Sequence, residues 1–218
     1  MLDSLIQLDT SLFFTINEGH NTFFDGFMYY FSDKIIWIPM YLSILYVMWK
    51  SFVWKHILFC VIAVALLILV ADQVAHLLKE IFGRLRPSNL ENPISEFVHI
   101  VNEKRGGRYG FPSNHASNTW ALAFYIFLLF RKHWLSLTLM TWALITCYSR
   151  SYLGVHYPGD WLFGTMVGIT TACVIYTLQI AICNYPRGEV RQAYAPIIIF
   201  TMTVAGIVAY STFRALVS

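Results

Sequence analysis

Residues 57–78 read ILFCVIAVALLILVADQVAHLL, apolar without a break as far as Asp72. A helix needs about 20 mostly apolar residues to cross a hydrocarbon core, so this stretch reads as a membrane span. Working outward, five more segments qualify, 27–49, 116–130, 134–148, 161–182 and 195–215, the shorter ones being tolerable where their ends are buried in protein. The expected fold is therefore all-α, a polytopic membrane helix bundle with about six transmembrane helices. The first span is blemished by Asp33 and Lys34, so its membrane portion is expected to begin near Ile35.

Composition agrees. Over 218 residues the chain is 57% hydrophobic, 17% aromatic and 12% charged, with a mean hydropathy of +0.57. A soluble globule carries about 25% charged residues, so the solvent of most of this surface is lipid. A net charge of +3 and a pI near 8.6, with basic residues thinly spread, exclude a nucleic-acid partner. Cys60, Cys147, Cys173 and Cys183 lie in or beside apolar runs without metal-ligand spacing and read as packing residues.

Segment 1–24 has no basic leader and carries Asp3, Asp9 and Glu18, so it is expected to be retained and not cleaved. Within it Leu5, Leu8, Leu12, Phe13 and Ile16 recur at near-helical spacing among polar residues. That pattern predicts an amphipathic helix, lying in the membrane interface or packed on the bundle. Trp37, Trp49, Trp54, Trp134 and Trp161 sit at span ends, where amphipathic rings suit the headgroup zone. No internal repeat is visible, and residues 1–218 are expected to form a single domain.

Counting spans places 79–112, 149–160 and both termini on one side, and 50–55, 131–133 and 183–194 on the other. The second side has short loops in which Lys50, Lys55, Arg131, Lys132, Arg187 and Arg191 face only Glu189. Short basic loops face the cytoplasm, so the long polar side is expected to be external, in a bacterium the periplasmic side of the inner membrane.

That side gathers an unusual polar set. Lys79 ends the second span, followed by Arg84 and Arg86-Pro87; Pro112-Ser113-Asn114-His115 opens the third; Ser149-Arg150 closes the fourth; His156 and Asp160 introduce the fifth. Cations supply charge-assisted hydrogen bonds, and the unpaired amides of a helix start add donors and a dipole, which suits an oxyanion such as phosphate. Two histidines point to catalysis: one can attack phosphorus while the other protonates the leaving oxygen. Asp160 is spaced to orient the ring of His156.

The strings Lys79-x6-Arg86-Pro87, Pro112-Ser113-Asn114-His115 and Ser149-Arg150-x5-His156-x3-Asp160 resemble the three-part signature of the type 2 phosphatidic acid phosphatase (PAP2) superfamily, in its order and internal spacings, over residues 79–160. The resemblance implies a phosphatase without a cofactor or metal. His156 would be the nucleophile forming a phosphohistidine, Asp160 its orienting partner and His115 the general acid. Lys79, Arg86, Arg150, Ser113 and the amide of Asn114 would hold the phosphoryl oxygens. The family usually has Gly where Asn114 stands, which puts the local backbone geometry in question; Asn is the next residue most tolerant of left-handed angles.

Other polar residues keep two readings. Arg84 is a headgroup contact, a support or a solvated charge. Asp72, His76 and Lys79 share a helical face, and the first two read as a support network beneath Lys79. Loop 88–111, with Lys104, Arg105 and Arg108, is a headgroup selector or a solvated cover. The leading expectation is a membrane phosphatase that removes phosphate from a lipid phosphate or diphosphate in the bilayer. The resemblance favours undecaprenyl diphosphate or lipid A, with phosphatidylglycerophosphate, phosphatidate and phosphoryl transfer to another alcohol as alternatives. An anion transporter would use the cations but gives His156 and Asp160 no role, and a vanadate-dependent peroxidase does not need a six-span body.

Overall fold

The structure is a computed structural model that describes residues 2–183 and 190–217. Arg187 and Glu189, used above in weighing the two sides, lie outside the described residues. The described chain is all-helical: α1 (Leu2–Asn17), α2 (Thr22–Phe31), α3 (Ile38–Ser51), α4 (Trp54–Phe82), α5 (Asn114–Phe130), α6 (His133–Tyr152), α7 (Pro158–Cys183) and α8 (Ala195–Val217).

Three of these helices, α4, α7 and α8, are long and apolar enough to cross a membrane, and α2 with α3, bent by 64° at their junction, makes a fourth if counted as one span. The bend falls at the Asp33 and Lys34 blemish. There Asp33 accepts the Ile35 amide at 3.0 Å and a 3₁₀ turn (Ile35–Trp37) leads into α3. Helices α5 and α6 do not meet the same measure of length and apolarity. Helix α5 is the enclosed one, packing on α4, α6 and α7, whereas α6 buries one face and exposes Trp134, Leu137 and Leu144 on the other. A helix surrounded by protein needs no lipid-facing coat, and polar groups can be paired across the interface, as Tyr125 on α5 donates to Gln179 Oε1 on α7 at 2.6 Å.

The α5–α7 pair sets the position of everything that follows. Small residues let the two backbones approach: a Cβ built on Gly168 would collide with the Ser117 carbonyl and lie 2.9 Å from the Ala121 nitrogen, and one on Gly164 would lie 2.6 Å from the Ser113 carbonyl. Because the obstructing atoms are backbone, they cannot swing aside. Gly168→Val should cost about 2 kcal/mol or more, read as a lower melting temperature in detergent; an unchanged melt would show that the helices separate freely.

Helix α1 ends at Asn17, short of residue 24, and packs against α6 and α7. Phe13 and Asn17 are fully buried, and Asn17 donates to the carbonyls of His99 and Tyr152 at 3.0 and 2.8 Å. Leu5, Leu8 and Leu12 remain exposed on the same helix. The bundle also has two chemically distinct ends. Ser51 bonds Arg191 and Phe52 stacks on Phe130 at one end, whereas α1, loop 88–111 and residues 149–160 meet at the other. No disulfide forms among the described residues; Cys60 and Cys147 are buried as expected, but Cys173 is exposed on α7.

Candidate active site

The polar end of the bundle is assembled by four chain segments. Gly83, in the left-handed conformation at φ +56°, ends α4 and returns its amide to Lys79 O at 2.9 Å. The chain then runs antiparallel to residues 108–110, with Arg86 N donating to Arg108 O at 3.1 Å and Gly110 N to Arg84 O at 2.8 Å. Ser113 caps α5 by accepting from Ala116 N, and its own amide donates to Asp160 O at 2.9 Å, tying the start of α5 to the start of α7.

His156 and Asp160 are buried at the centre. Nδ1 of His156 lies 3.2 Å from Asp160 Oδ2, and the Arg86 guanidinium lies 3.0 Å from Nε2. A guanidinium can only donate, so Nε2 is the accepting nitrogen and the ring proton sits on Nδ1, donated to the carboxylate. Burial first, then the positive charges of Arg86, Arg150 and Lys79, hold the His156 imidazole well below the ordinary histidine range, so it is neutral at pH 7. A neutral ring with an oriented proton on one nitrogen and a lone pair on the other can act as a nucleophile.

The cations converge on the same place. Arg86 is fixed by donating from Nε to Tyr109 O at 3.1 Å and from Nη1 to Val155 O at 3.2 Å. Arg150 donates to Ser32 Oγ at 3.0 Å, while its Nε is buried without a hydrogen-bond partner among the described residues. An orphaned guanidinium nitrogen beside a histidine is a donor for an oxyanion. Lys79 bonds the side-chain oxygen of Asn114. Asn114 opens α5 in an ordinary helical conformation, not a left-handed one, and its Nδ2 donates to Asp72 Oδ1 at 2.7 Å. Where the family usually has Gly, this chain thus inserts an amide that links Lys79 to Asp72.

The support residues divide. Asp72 also accepts from Asn118 at 3.2 Å, which makes it the expected base of the Lys79 network; His76 is exposed and joins none of these bonds. Arg84 is neither a free headgroup contact nor a solvated charge: it pairs with Asp160 Oδ1 at 3.0 Å and Asp9 Oδ2 at 2.7 Å. In loop 88–111, Arg105 donates to Ser88 O at 2.8 Å, Arg108 pairs with exposed Glu91 at 2.7 Å, and Lys104 lies over the Tyr29 ring. Arg105 therefore holds the loop closed on itself, and of these three cations Lys104 and Arg108 are the exposed ones. Gly110, which the sequence did not single out, lets the chain pass the site: a Cβ there would lie 2.8 Å from Asp160 Oδ2.

His115 lines a cavity of about 340 Å³ that runs into the bundle between α3, α4, α5 and α6. Ser32, Lys34, His115 and Asn118 supply its polar part, and Trp37, Ile44, Met48, Leu122 and Trp142 are among its apolar walls. Among the described residues no three His, Cys, Asp or Glu side chains converge as a metal site.

Comparison with known proteins agrees with this geometry. Residues 56–182 match the PAP2 superfamily. The chain belongs to that superfamily. It is 42% identical to a lipid A 4′-phosphatase of Bacteroides thetaiotaomicron, over 97% of this chain and 98% of that protein. It is 32% identical to a lipid A 4′-phosphatase of Porphyromonas gingivalis, over 89% of this chain and 81% of that protein. The crystal structure of Aquifex aeolicus LpxE shares the fold, with a TM-score of 0.62 at 23% identity, covering 78% of this chain and 95% of that one. This PAP2 protein is thus an integral-membrane phosphatase, and its polar end carries all three parts of the superfamily signature.

Proposed function

We propose that this PAP2 phosphatase removes the 4′-phosphate of lipid A through a phosphohistidine on His156, without a metal. The observation that carries the chemistry is the buried Asp160–His156 pair with Nε2 directed at Arg86. Similarity to two lipid A 4′-phosphatases, over 97% and 89% of this chain, supports the substrate. In the first step the Nε2 lone pair attacks phosphorus as the ester P–O bond breaks, His115 giving its proton to the leaving oxygen. In the second, His115 takes a proton from water, whose oxygen attacks phosphorus and releases His156. Lys79, Arg86, Arg150 and the amide groups at Ser113 and Asn114 hold the charge on the phosphoryl oxygens. Asp72 supports Lys79 through Asn114.

In this reading residues 1–218 are one domain with six membrane passes, α2–α3 counting as one and α5 as the central one. Helix α1 rests in the interface on Leu5, Leu8 and Leu12, and the site faces the periplasm. Glu96→Cys should react with an impermeant thiol reagent in whole cells lacking the native cysteines, and Lys132→Cys should not. The reverse pattern would put the site on the cytoplasmic side.

The apolar cavity beside His115 supports a substrate that arrives from the bilayer and keeps an acyl chain in the bundle while its phosphate meets the cations. Purified protein in detergent should release phosphate from lipid A, faster than from undecaprenyl diphosphate, phosphatidylglycerophosphate or phosphatidate. Leu122→Trp, which fills the cavity, should raise KM for lipid A by about tenfold and leave hydrolysis of a short soluble phosphate ester unchanged. Equal loss for both would remove the cavity from substrate binding, and preference for another lipid in the panel would replace the substrate.

A further inference from the structure

Asp9, on α1, lies outside the three signature strings, yet it is two ion pairs from His156. Its Oδ2 meets Arg84 Nη2 at 2.7 Å, and Arg84 Nη1 meets Asp160 Oδ1 at 3.0 Å. The other Asp9 oxygen accepts the Gly159 amide at 2.7 Å, one residue before Asp160. Arg84 Cζ also lies over the Tyr157 ring, 3.9 Å from its centroid, which adds a third contact to the guanidinium.

The consequence falls on Asp160. That carboxylate is fully buried, and its Oδ2 accepts both His156 Nδ1 and the Tyr157 amide. With Arg84 on Oδ1, both oxygens are held, so the carboxylate cannot rotate away from the imidazole. A single cation between two carboxylates also compensates a buried negative charge that would be costly alone. A headgroup role for Arg84 is disfavoured by the same contacts, since both terminal nitrogens are already committed to carboxylates.

We propose that Asp9 and Arg84 are positioning residues: by docking Asp9 against Arg84, α1 locks Asp160 and, through it, the tautomer and orientation of His156. The proposal rests on the reading that His156 attacks phosphorus. It adds that the N-terminal helix, which contributes no atom to the phosphate site, sets the rate of the chemical step.

The test compares Arg84→Gln, Arg84→Lys, Asp9→Asn and the Arg84→Gln/Asp9→Asn double variant with wild type on lipid A, alongside orthovanadate binding followed by tryptophan fluorescence. Asp9→Asn keeps an acceptor for Gly159 and removes only the charge. The expected result is a fall in kcat of about 10- to 100-fold for Arg84→Gln, with KM and vanadate affinity within about threefold of wild type. Arg84→Lys should recover part of the loss, and the double variant should be no slower than Arg84→Gln by more than about twofold. A wild-type kcat in Arg84→Gln overturns the proposal, as does a raised KM at unchanged kcat, which would make Arg84 a substrate contact. Additive losses in the double variant would separate Asp9 from Arg84 and overturn the relay. If Arg84→Gln does not fold, Asp9→Asn alone decides, by the same split between kcat and KM. His156→Ala is assayed in parallel: turnover there would refute the underlying mechanism, whereas failure of the relay leaves His156→Ala inactive.

Discussion

His156→Ala should abolish turnover of lipid A while leaving a folded protein, a loss of about 10⁴-fold or more in kcat, as expected when a nucleophile is removed from a site whose remaining parts still bind. The imidazole is fully enclosed, so its removal leaves a small void and unpairs Asp160 Oδ2 from one of its two donors. The Tyr157 amide and Arg84 still hold the carboxylate, and for that reason the fold is expected to survive. The pH profile follows from the same surroundings. Burial and the neighbouring cations place the His156 pKa well below 6.5, so the neutral, nucleophilic ring persists as pH falls through 6.5 and is lost only further down. Stability has the same sign: the unfolded chain takes up a proton near its ordinary pKa of about 6.5 while the folded chain does not, so this group makes the fold less stable as pH falls from there toward the folded pKa. Wild-type kcat/KM measured from pH 8 to 5 should show no acid limb centred near 6.5 from titration of His156. Full activity in EDTA is expected throughout. Turnover in the His156→Ala variant, or its loss from wild type on chelation, would sink the phosphohistidine mechanism.

The three signature strings were legible because each is local. Lys79 to Arg86, Pro112 to His115 and Arg150 to Asp160 each bring their own spacing, and the turn at Tyr157-Pro158-Gly159 that opens α7 sets Asp160 against His156. Their convergence was inferred from span counting, and the structure brings Arg86, His156 and Asp160 into direct contact, with Lys79 bonded to Asn114. At Asp33 and Lys34 a boundary was readable, since charge in an apolar run marks where the helix meets a polar region, but the 64° bend between α2 and α3 was not. What escaped is non-local. Nothing in the spacing of Asp9 links it to Arg84, and a break in α1 docking would leave every motif intact. Asn118 could have been found, because it lies one helical turn from Asn114 and faces the same Asp72. His76 illustrates the converse: helical periodicity put it near Asp72 and Lys79, but its side chain is exposed and joins neither.

Arg86→Ala is expected to cost about 10²- to 10³-fold in kcat/KM, the range for removing one main donor from a developing oxyanion. In the structure its Nη1 donates to His156 Nε2 at 3.0 Å, and that nitrogen has a single lone pair. Nε2 cannot accept this bond and attack phosphorus at once. The bound phosphoryl group must therefore draw the guanidinium from the imidazole onto its own oxygens, so that the act of binding substrate uncovers the nucleophile. Arg86 can make the exchange without losing its place because Nε stays on Tyr109 O and Nη1 keeps Val155 O within reach. A lysine lacks the fork needed to hold two backbone carbonyls and a phosphoryl oxygen together, so Arg86→Lys should recover less than about a tenth of the loss. Removing the side chain also strands two carbonyls, at about 1–3 kcal/mol for each that water cannot reach, and melting curves of both variants separate that structural cost from the kinetic one. The decisive comparison is vanadate binding against kcat. Loss of both, with the melt largely retained, is expected of a residue that grips the phosphoryl group and masks Nε2 in its absence. If Arg86→Ala hydrolyses lipid A within about fivefold of wild type, the charge on the phosphoryl oxygens is carried by Lys79 and Arg150, and the exchange at Nε2 is not part of the reaction.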